Sequence, residues 1–253
     1  MSEVRLIPLG VGEAFTALHY TTCMALGVDD AWILIDCPHP VRKMLREAST
    51  AAGHPLDLDR ISAVVLSHLH ADHCCGLEDY GYYSHYALGR RARVLTHPDV
   101  SARMWDGLLA AGMDQVHESR DQPPCRKRLD DFFEIVSLSE SHPVPSGPFS
   151  VECRKTIHPI PTTAFRIQAG GRTLAFSADT AFDPSLIEWL SAADLVIHEV
   201  TTYPESIAHT PYTRLAALPT DLRAKMRLIH YPDDFDHERS VIETLRQGRC
   251  YVV

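Results

Sequence analysis

Three histidines and one aspartate fall within the six residues "HLHADH": His68, His70, Asp72 and His73. Imidazole nitrogen and carboxylate oxygen are the ligand types Zn²⁺ takes where it performs chemistry rather than holding a fold. A His-rich surface loop accounts for one such residue and poorly for four together. The run follows directly on the apolar "ISAVV" (61–65). Alternation along an extended segment sends His68, His70 and Asp72 to one side, and a following turn brings His73 back towards them. One cluster does not complete two metal sites, so further His or Asp residues are expected at strand ends. Three qualify, each closing an apolar run before a turn: His158 after "FSVECRKTI", Asp179 after "TLAFSA" and His230 after "MRLI".

The elements that must position these residues read as strands mixed with helices. Strand-like runs lie at 4–10, 31–37, 61–67, 92–97, 149–158, 164–170, 172–178, 193–199 and 226–231. Helix-like segments lie at 40–53, 99–112, 184–193 and 237–248, the last three bounded by Asp, Pro or Gly as helix ends often are. Gly170-Gly171 between two strands predicts a tight hairpin. Together these indicate an α/β class with a partly antiparallel sheet. No repeat or linker divides the chain, so residues 1–253 read as a single domain. The segment 118–131, rich in Pro and charge, reads as an irregular insert and a mobile flap.

Composition narrows the partners. The chain has 253 residues, 45% of them hydrophobic, and a formal net charge of −9. No stretch has the apolar length needed to span a bilayer, and no secretory signal opens the chain, so a cytoplasmic protein without a membrane partner is expected. Seven scattered cysteines fit reduced thiols. Cys74 and Cys75, beside the cluster, read as buried thiols rather than ligands. The short basic runs "GRRAR" (89–93) and "CRKRL" (125–129) read as solvated surface. Long nucleic acid is therefore not expected as a partner. A small anionic substrate is, because bound cations offset acidic charge locally. A homo-oligomer is compatible with the sequence.

The series His68-x-His70-x-Asp72-His73, then His158, Asp179 and His230, resembles the metallo-β-lactamase superfamily in its binuclear form across residues 4–231. "WILIDC" (32–37) resembles the early strand whose Asp supports the metal loop. The resemblance implies a four-layer αβ/βα sandwich with the site at one edge of its two sheets. It implies that His68, His70 and His158 hold one divalent ion, that Asp72, His73 and His230 hold a second, and that Asp179 bridges them. Zn²⁺ suits these donors best, and Mn²⁺ or Fe²⁺ is compatible. A water or hydroxide between the ions, with Asp72 also orienting it, implies hydrolysis, most naturally at phosphorus.

Three stretches resemble the ribonuclease Z and cyclic-phosphodiesterase branch: "SADTAF" (177–182), with Ala178 in place of Gly, "ADLVIHEVTT" (193–202) and "AHTPYTRLAAL" (208–218). They imply that His209 is a catalytic acid or phosphoryl donor, that Glu199 orients it, and that His198 is structural. His19 lies in an early loop that borders such sites. His85, His97, His117, His142 and His237 match no motif and read as structural or surface residues. Two departures from ribonuclease Z argue against tRNA. No basic clamp arm is present, and "HYPDDF" (230–235) lacks the Arg expected near the phosphate. The expected function is a metal-dependent phosphodiesterase acting on a small phosphodiester, cyclic or nucleotide-derived. The rival on the same scaffold is an acyl hydrolase, a lactonase or thioesterase. A di-iron redox protein is disfavoured by His70, where such relatives carry Glu, and a non-catalytic sensor by the completeness of the ligand set.

Overall fold

The computed structural model, which describes residues 2–253, begins with an antiparallel meander of β1 (Val4–Gly10), β2 (Cys23–Val28) and β3 (Ala31–Ile35). These strands are buried on both faces, which is why they read as nearly continuous apolar runs. Leu6, Ile33 and Ile35 pack with Phe165, Ile167 and Phe176 of a second sheet. Ile7, Leu9 and Leu34 point the other way, against Met44 and Leu45 of helix α1 (Val41–Ala51). This two-residue alternation is the geometry of extended backbone. β4 (Ile61–Val65) and β5 (Ala92–Thr96) add in parallel beside β3. Between them lie the helical turn α2 (Ala71–Cys74) and helix α3 (Leu77–Tyr82).

Beyond β5, Pro98 opens a helical stretch that runs to Met113, with a π-helical turn at Trp105–Leu109. The short strands β6 (Gln115–Val116) and β7 (Cys125–Arg126) form a two-stranded ribbon, and β8 (Phe133–Ser137) joins β5 in parallel. The second sheet contains β9 (Val144–Ser146), β10 (Phe149–Lys155), β11 (Thr163–Ala169), β12 (Arg172–Phe176), β13 (Leu195–Glu199) and β14 (Met226–Ile229). Its first four strands are antiparallel neighbours, and β12, β13 and β14 are parallel. β15 (Tyr251–Val252) closes the first sheet beside β1, giving a seven-stranded and a six-stranded sheet. The helix Pro184–Leu190 buries Leu186 and Leu190 in the same core as the second sheet. Helix, sheet, sheet and helix make the expected four layers. No helix among the described residues is long and apolar enough to cross a membrane.

Four expectations change. The segment 237–248 is not a helix: Leu228 donates to the Glu243 carbonyl at 2.9 Å, and Leu245 donates to that of Leu228 at 2.8 Å. It lies along β14, burying Ile242 and Leu245 against the sheet. An uncovered strand edge leaves backbone groups unpaired, and satisfying them outweighs local helical periodicity. The segment 118–131 is not wholly irregular, since it contains β7 and the helical turn Leu129–Phe132. Of the two adjoining thiols, Cys74 is buried and Cys75 is exposed, because only Cys74 faces the core beneath α2. Strand β2 is an addition to the expected elements; its "CMALGV" holds a glycine and an alanine and carries little β-propensity. The Gly170-Gly171 hairpin forms as expected, with φ of 56° and 81°, a region open to glycine.

Candidate metal centre

Every loop that carries a candidate ligand leaves the carboxyl end of a strand. The loop after β4 carries His68 to His73, and those after β10, β12 and β14 carry His158, Asp179 and His230. β10, β12 and β14 run in the same direction, so their loops meet at one edge, where sites gather in α/β folds. Extended backbone continues only to His70, whose φ of −69° and ψ of 147° precede the turn α2. Asp72 therefore does not share the strand register of His68 and His70; a helical turn places it together with His73. The structure brings all seven residues together as two groups that share Asp179. His68, His70, His158 and Asp179 form one, and Asp72, His73, Asp179 and His230 the other, with the ligand atoms of each group within 4.8 Å of one another.

The ring nitrogens show what these groups are built for. His68 Nδ1 donates to Ser67 Oγ at 2.9 Å, since that hydroxyl spends its own proton on Asp36 Oδ2 at 2.9 Å. His73 Nδ1 donates to Asp36 Oδ2 at 2.8 Å, and His158 Nδ1 to the Ala208 carbonyl at 3.1 Å. His230 Nδ1 donates to Thr22 Oγ1 at 2.9 Å, whose proton goes to the Gly12 carbonyl at 3.1 Å. In its neutral form each of these four histidines thus presents Nε2 as a bare lone pair aimed inward, with tautomers assigned by the network. His70 faces the cluster through Nδ1, at 3.1 Å from His68 Nε2 and 3.0 Å from His158 Nε2. A cation among these three nitrogens would draw on all three imidazoles at once. His73 Nε2 and Asp179 Oδ1 are buried without a hydrogen-bond partner, 3.3 Å apart. Metal–ligand bonds of about 2.1 Å in a tetrahedron set ligand atoms about 3.4 Å apart. The observed separations, such as 3.2 Å for His73–Asp72 and 3.5 Å for His230–Asp179, suit that spacing. The donor set fits divalent metal.

Electrostatics prepares the same state at three of these rings but not at His73, where burial opposes charge and Asp179 with Asp36 outweigh it, raising the pKa well above the usual imidazole range. Burial lowers the pKa of His68 and His158, and pushes that of His230 down to about 4, favouring the neutral ring that can ligate. Burial opposes charge on Asp179, yet His230, His73 and His68 outweigh it and hold the carboxyl below its usual range. Local strain collects here as well. Asp36, Ala178 and His230 have φ of 62°, 49° and 57°, although none is glycine. Ala178 stands where the resembled segment carries Gly, and its left-handed backbone explains that preference.

Asp36 is the residue that organises this edge. It is fully buried, and its carboxylate accepts from Ser67 N at 2.8 Å as well as from Ser67 Oγ and His73 Nδ1. Removing the charge behind a ligating imidazole typically costs about 10–100-fold in metal affinity. Asp36→Asn is expected to weaken metal by that factor in competition with a chromophoric chelator. Unchanged affinity would remove Asp36 from the ligand-supporting network.

Glu199 and His209 complete the edge. His209 Nδ1 lies 3.3 Å from Glu199 Oε1 and 4.0 Å from Asp179 Oδ2. Burial opposes charge on His209, but the contact and charge of Glu199, with Asp179, raise its pKa to about 9. Glu199, wholly buried, is pushed up by burial to about 7 against the pull of His209. The order of the two favours the proton on the imidazole, whose Nδ1 stands at ion-pair distance from the carboxylate and without a hydrogen-bond partner. Glu199 Oε1 also accepts from Thr180 N at 2.9 Å and Thr210 N at 3.1 Å, tying the Asp179 loop to the His209 loop. His198 is buried, its Nδ1 2.7 Å from the Glu199 carbonyl, and takes no part in the cluster. His19 packs edge-on against Tyr231, and its neighbours Glu13 and Phe15 line a cleft with His209 and His230.

The sandwich and its edge cluster define the class: a metallo-β-lactamase-fold protein with a His/Asp centre suited to divalent metal. The family model described as "Anti-Pycsar protein Apyc1" matches residues 4–251. The chain belongs to that family. It is 26% identical over 260 residues to the anti-Pycsar protein Apyc1 of Paenibacillus sp. (strain J14), covering 99% of each chain. To the protein of that name from Bacillus phage 010DV004 it is 26% identical over 263 residues, covering 99% of this chain and 98% of the relative. Among solved structures, the metallo-β-lactamase fold protein YhfI from Bacillus subtilis superposes with a TM-score of 0.78 at 20% identity, over 99% of this chain and 100% of that one.

Proposed function

We propose that the protein is a cytoplasmic metal-dependent hydrolase, a phosphodiesterase whose substrate is a small phosphodiester of the cyclic-nucleotide class. The observation that carries this reading is His209 Nδ1 at 3.3 Å from the buried Glu199 Oε1, set beside a paired donor cluster. His68, His70, His158 and Asp179 would hold one ion, and Asp72, His73, Asp179 and His230 the other. When bound, such a pair supplies an acidified water and positive charge for the phosphoryl oxygens. The net reaction adds one water across a P–O bond, and the departing sugar oxygen needs a proton. His209 is placed to give it, since Glu199 engages its Nδ1 and leaves Nε2–H free to donate. A thiolate departs with less need of such an acid, which favours phosphorus over a thioester and leaves the lactone as the rival to be tested.

The cleft beside the cluster, about 960 Å³, favours a small substrate with a single charge. Its lining includes Glu13, Glu205 and Asp234 and no Lys or Arg, so nothing there receives additional phosphates. A cyclic mononucleotide presents one diester anion. Metal-loaded protein is expected to hydrolyse bis(p-nitrophenyl) phosphate in preference to a panel of lactones; the reverse preference would support the acyl-hydrolase reading. The acidic charge and cleft also predict no tight tRNA binding at physiological salt, and salt-sensitive submicromolar retention on a filter would contradict that.

A further inference from the structure

The cleft has two walls that the catalytic reading leaves unused. One is the loop between β1 and β2, which presents Phe15 at 89% exposure. The other is the segment after Glu199, which presents Tyr203 at 72% and Ile207 at 88%. These are among the most exposed large apolar side chains of the protein, and all three line the same cleft as His209 and His230. Exposed apolar surface gathered at the mouth of a polar site marks a ligand face.

Both walls are held in place by hydrogen bonds rather than by packing. The Asp233 carboxylate accepts from Thr16 Oγ1 at 2.5 Å, Ala17 N at 2.7 Å and Leu18 N at 3.3 Å, which pins the Phe15 loop to the chain just beyond His230. Opposite, Ser206 Oγ accepts from His209 N at 3.0 Å, and Thr201 pairs with Thr210 and Tyr212 at the neck of the segment. The walls are thus referenced to the same two histidines that border the cluster. With no Lys or Arg in the lining, and His209 held by Glu199 at the cluster end, the part of a ligand that meets these walls is uncharged. Flat aromatic and aliphatic surfaces facing a phosphate-directed centre suit a heterocyclic base.

We propose that Phe15 on one side and Tyr203 and Ile207 on the other grip the base of a cyclic mononucleotide, with Asp233 as the positioning residue for Phe15. This rests on the phosphodiesterase reading for its substrate. "HYPDDF", which lacks the Arg of the resembled ending, thereby gains another role, because its Asp233 sets a base-binding wall.

The test compares a cyclic mononucleotide with its abasic analogue, the methyl riboside cyclic phosphate, using metal-loaded full-length protein. Phe15→Ser is expected to lower kcat/KM on the nucleotide by about 10-fold or more, the scale of one lost base–aromatic stacking contact, and Ile207→Ser is expected to lower it in the same direction. Neither should change kcat/KM on the abasic diester. Asp233→Ala should raise KM on the nucleotide with kcat unchanged, and Asp233→Asn, which keeps an acceptor oxygen, should restore part of the loss. Equal losses on both substrates, or none, would overturn the proposal. So would a Phe15→Ser variant that alters only the sedimentation coefficient, since the face would then serve a second copy of the chain. If the wild type cleaves neither diester, the phosphodiesterase reading fails. Calorimetric binding of the cyclic nucleotide still decides the wall: weaker binding by Phe15→Ser supports it, and equal binding overturns it.

Discussion

Asp179→Ala is expected to strip both metal sites at once and to leave no measurable hydrolysis. Wild-type protein should hold close to two divalent ions per chain, Zn²⁺ by preference, because two donor groups converge and share this carboxylate. Asp179 lies 3.3 Å from His73 Nε2, 3.5 Å from His230 Nε2 and 3.7 Å from His68 Nε2, so no other side chain touches both groups as it does. Its replacement leaves several buried imidazoles without their common anion, a severe loss for groups taken out of water. Elemental analysis after dialysis measures the outcome directly. His70→Ala provides the contrast: it touches only the first group and should spare part of the second ion. Full metal loading and full activity in Asp179→Ala would refute the shared-ligand arrangement.

His209→Ala is expected to separate chemistry from metal binding. Metal content should stay at the wild-type level, because His209 belongs to neither donor group. Turnover should fall by about 10²–10⁴-fold, the contribution of a positioned acid. The loss should shrink for p-nitrophenolate, which departs without a proton, and be largest for a sugar alkoxide. Glu199→Gln removes the charge that raises the His209 pKa but retains an acceptor oxygen for Thr180 and Thr210. Its effect should therefore have the same direction and smaller size. A His209→Ala enzyme that cleaves every phosphodiester at the parent rate would end the assignment of His209 as the acid.

The residues that cluster at this edge could be picked out from sequence because each is a metal-avid type that stands beyond an apolar strand. "HLHADH", His158, Asp179 and His230 combine residue type with strand periodicity, and both signals are local. What holds them was not readable in the same way. Thr22 gains its role from His230, 208 residues away, and Ser67 from Asp36, 31 residues away. A lone hydroxyl carries no sign of such a partner. The register of Asp72 was misplaced because the helical turn starts after His70, sooner than strand alternation suggested. The periodic apolar residues of 237–248 look helical, but the open edge of β14 recruits them as an extended cover. Glu199 was expected to orient His209; that it also ties two ligand loops together through backbone amides depends on folded proximity. The exposed wall of Phe15 and Ile207 lies outside any core pattern, so hydrophobic periodicity passes over it.

The central claim is phosphodiester hydrolysis by a metal-loaded His/Asp centre. Phosphorus NMR of a cyclic mononucleotide incubated with the metal-replete protein tests it most directly. The diester resonance should give way to that of a phosphomonoester, the conversion should stop when a chelator removes the metal, and it should resume when metal is returned. A diester resonance that persists unchanged beside fully metal-loaded protein, while the same preparation opens lactones, would contradict the assignment.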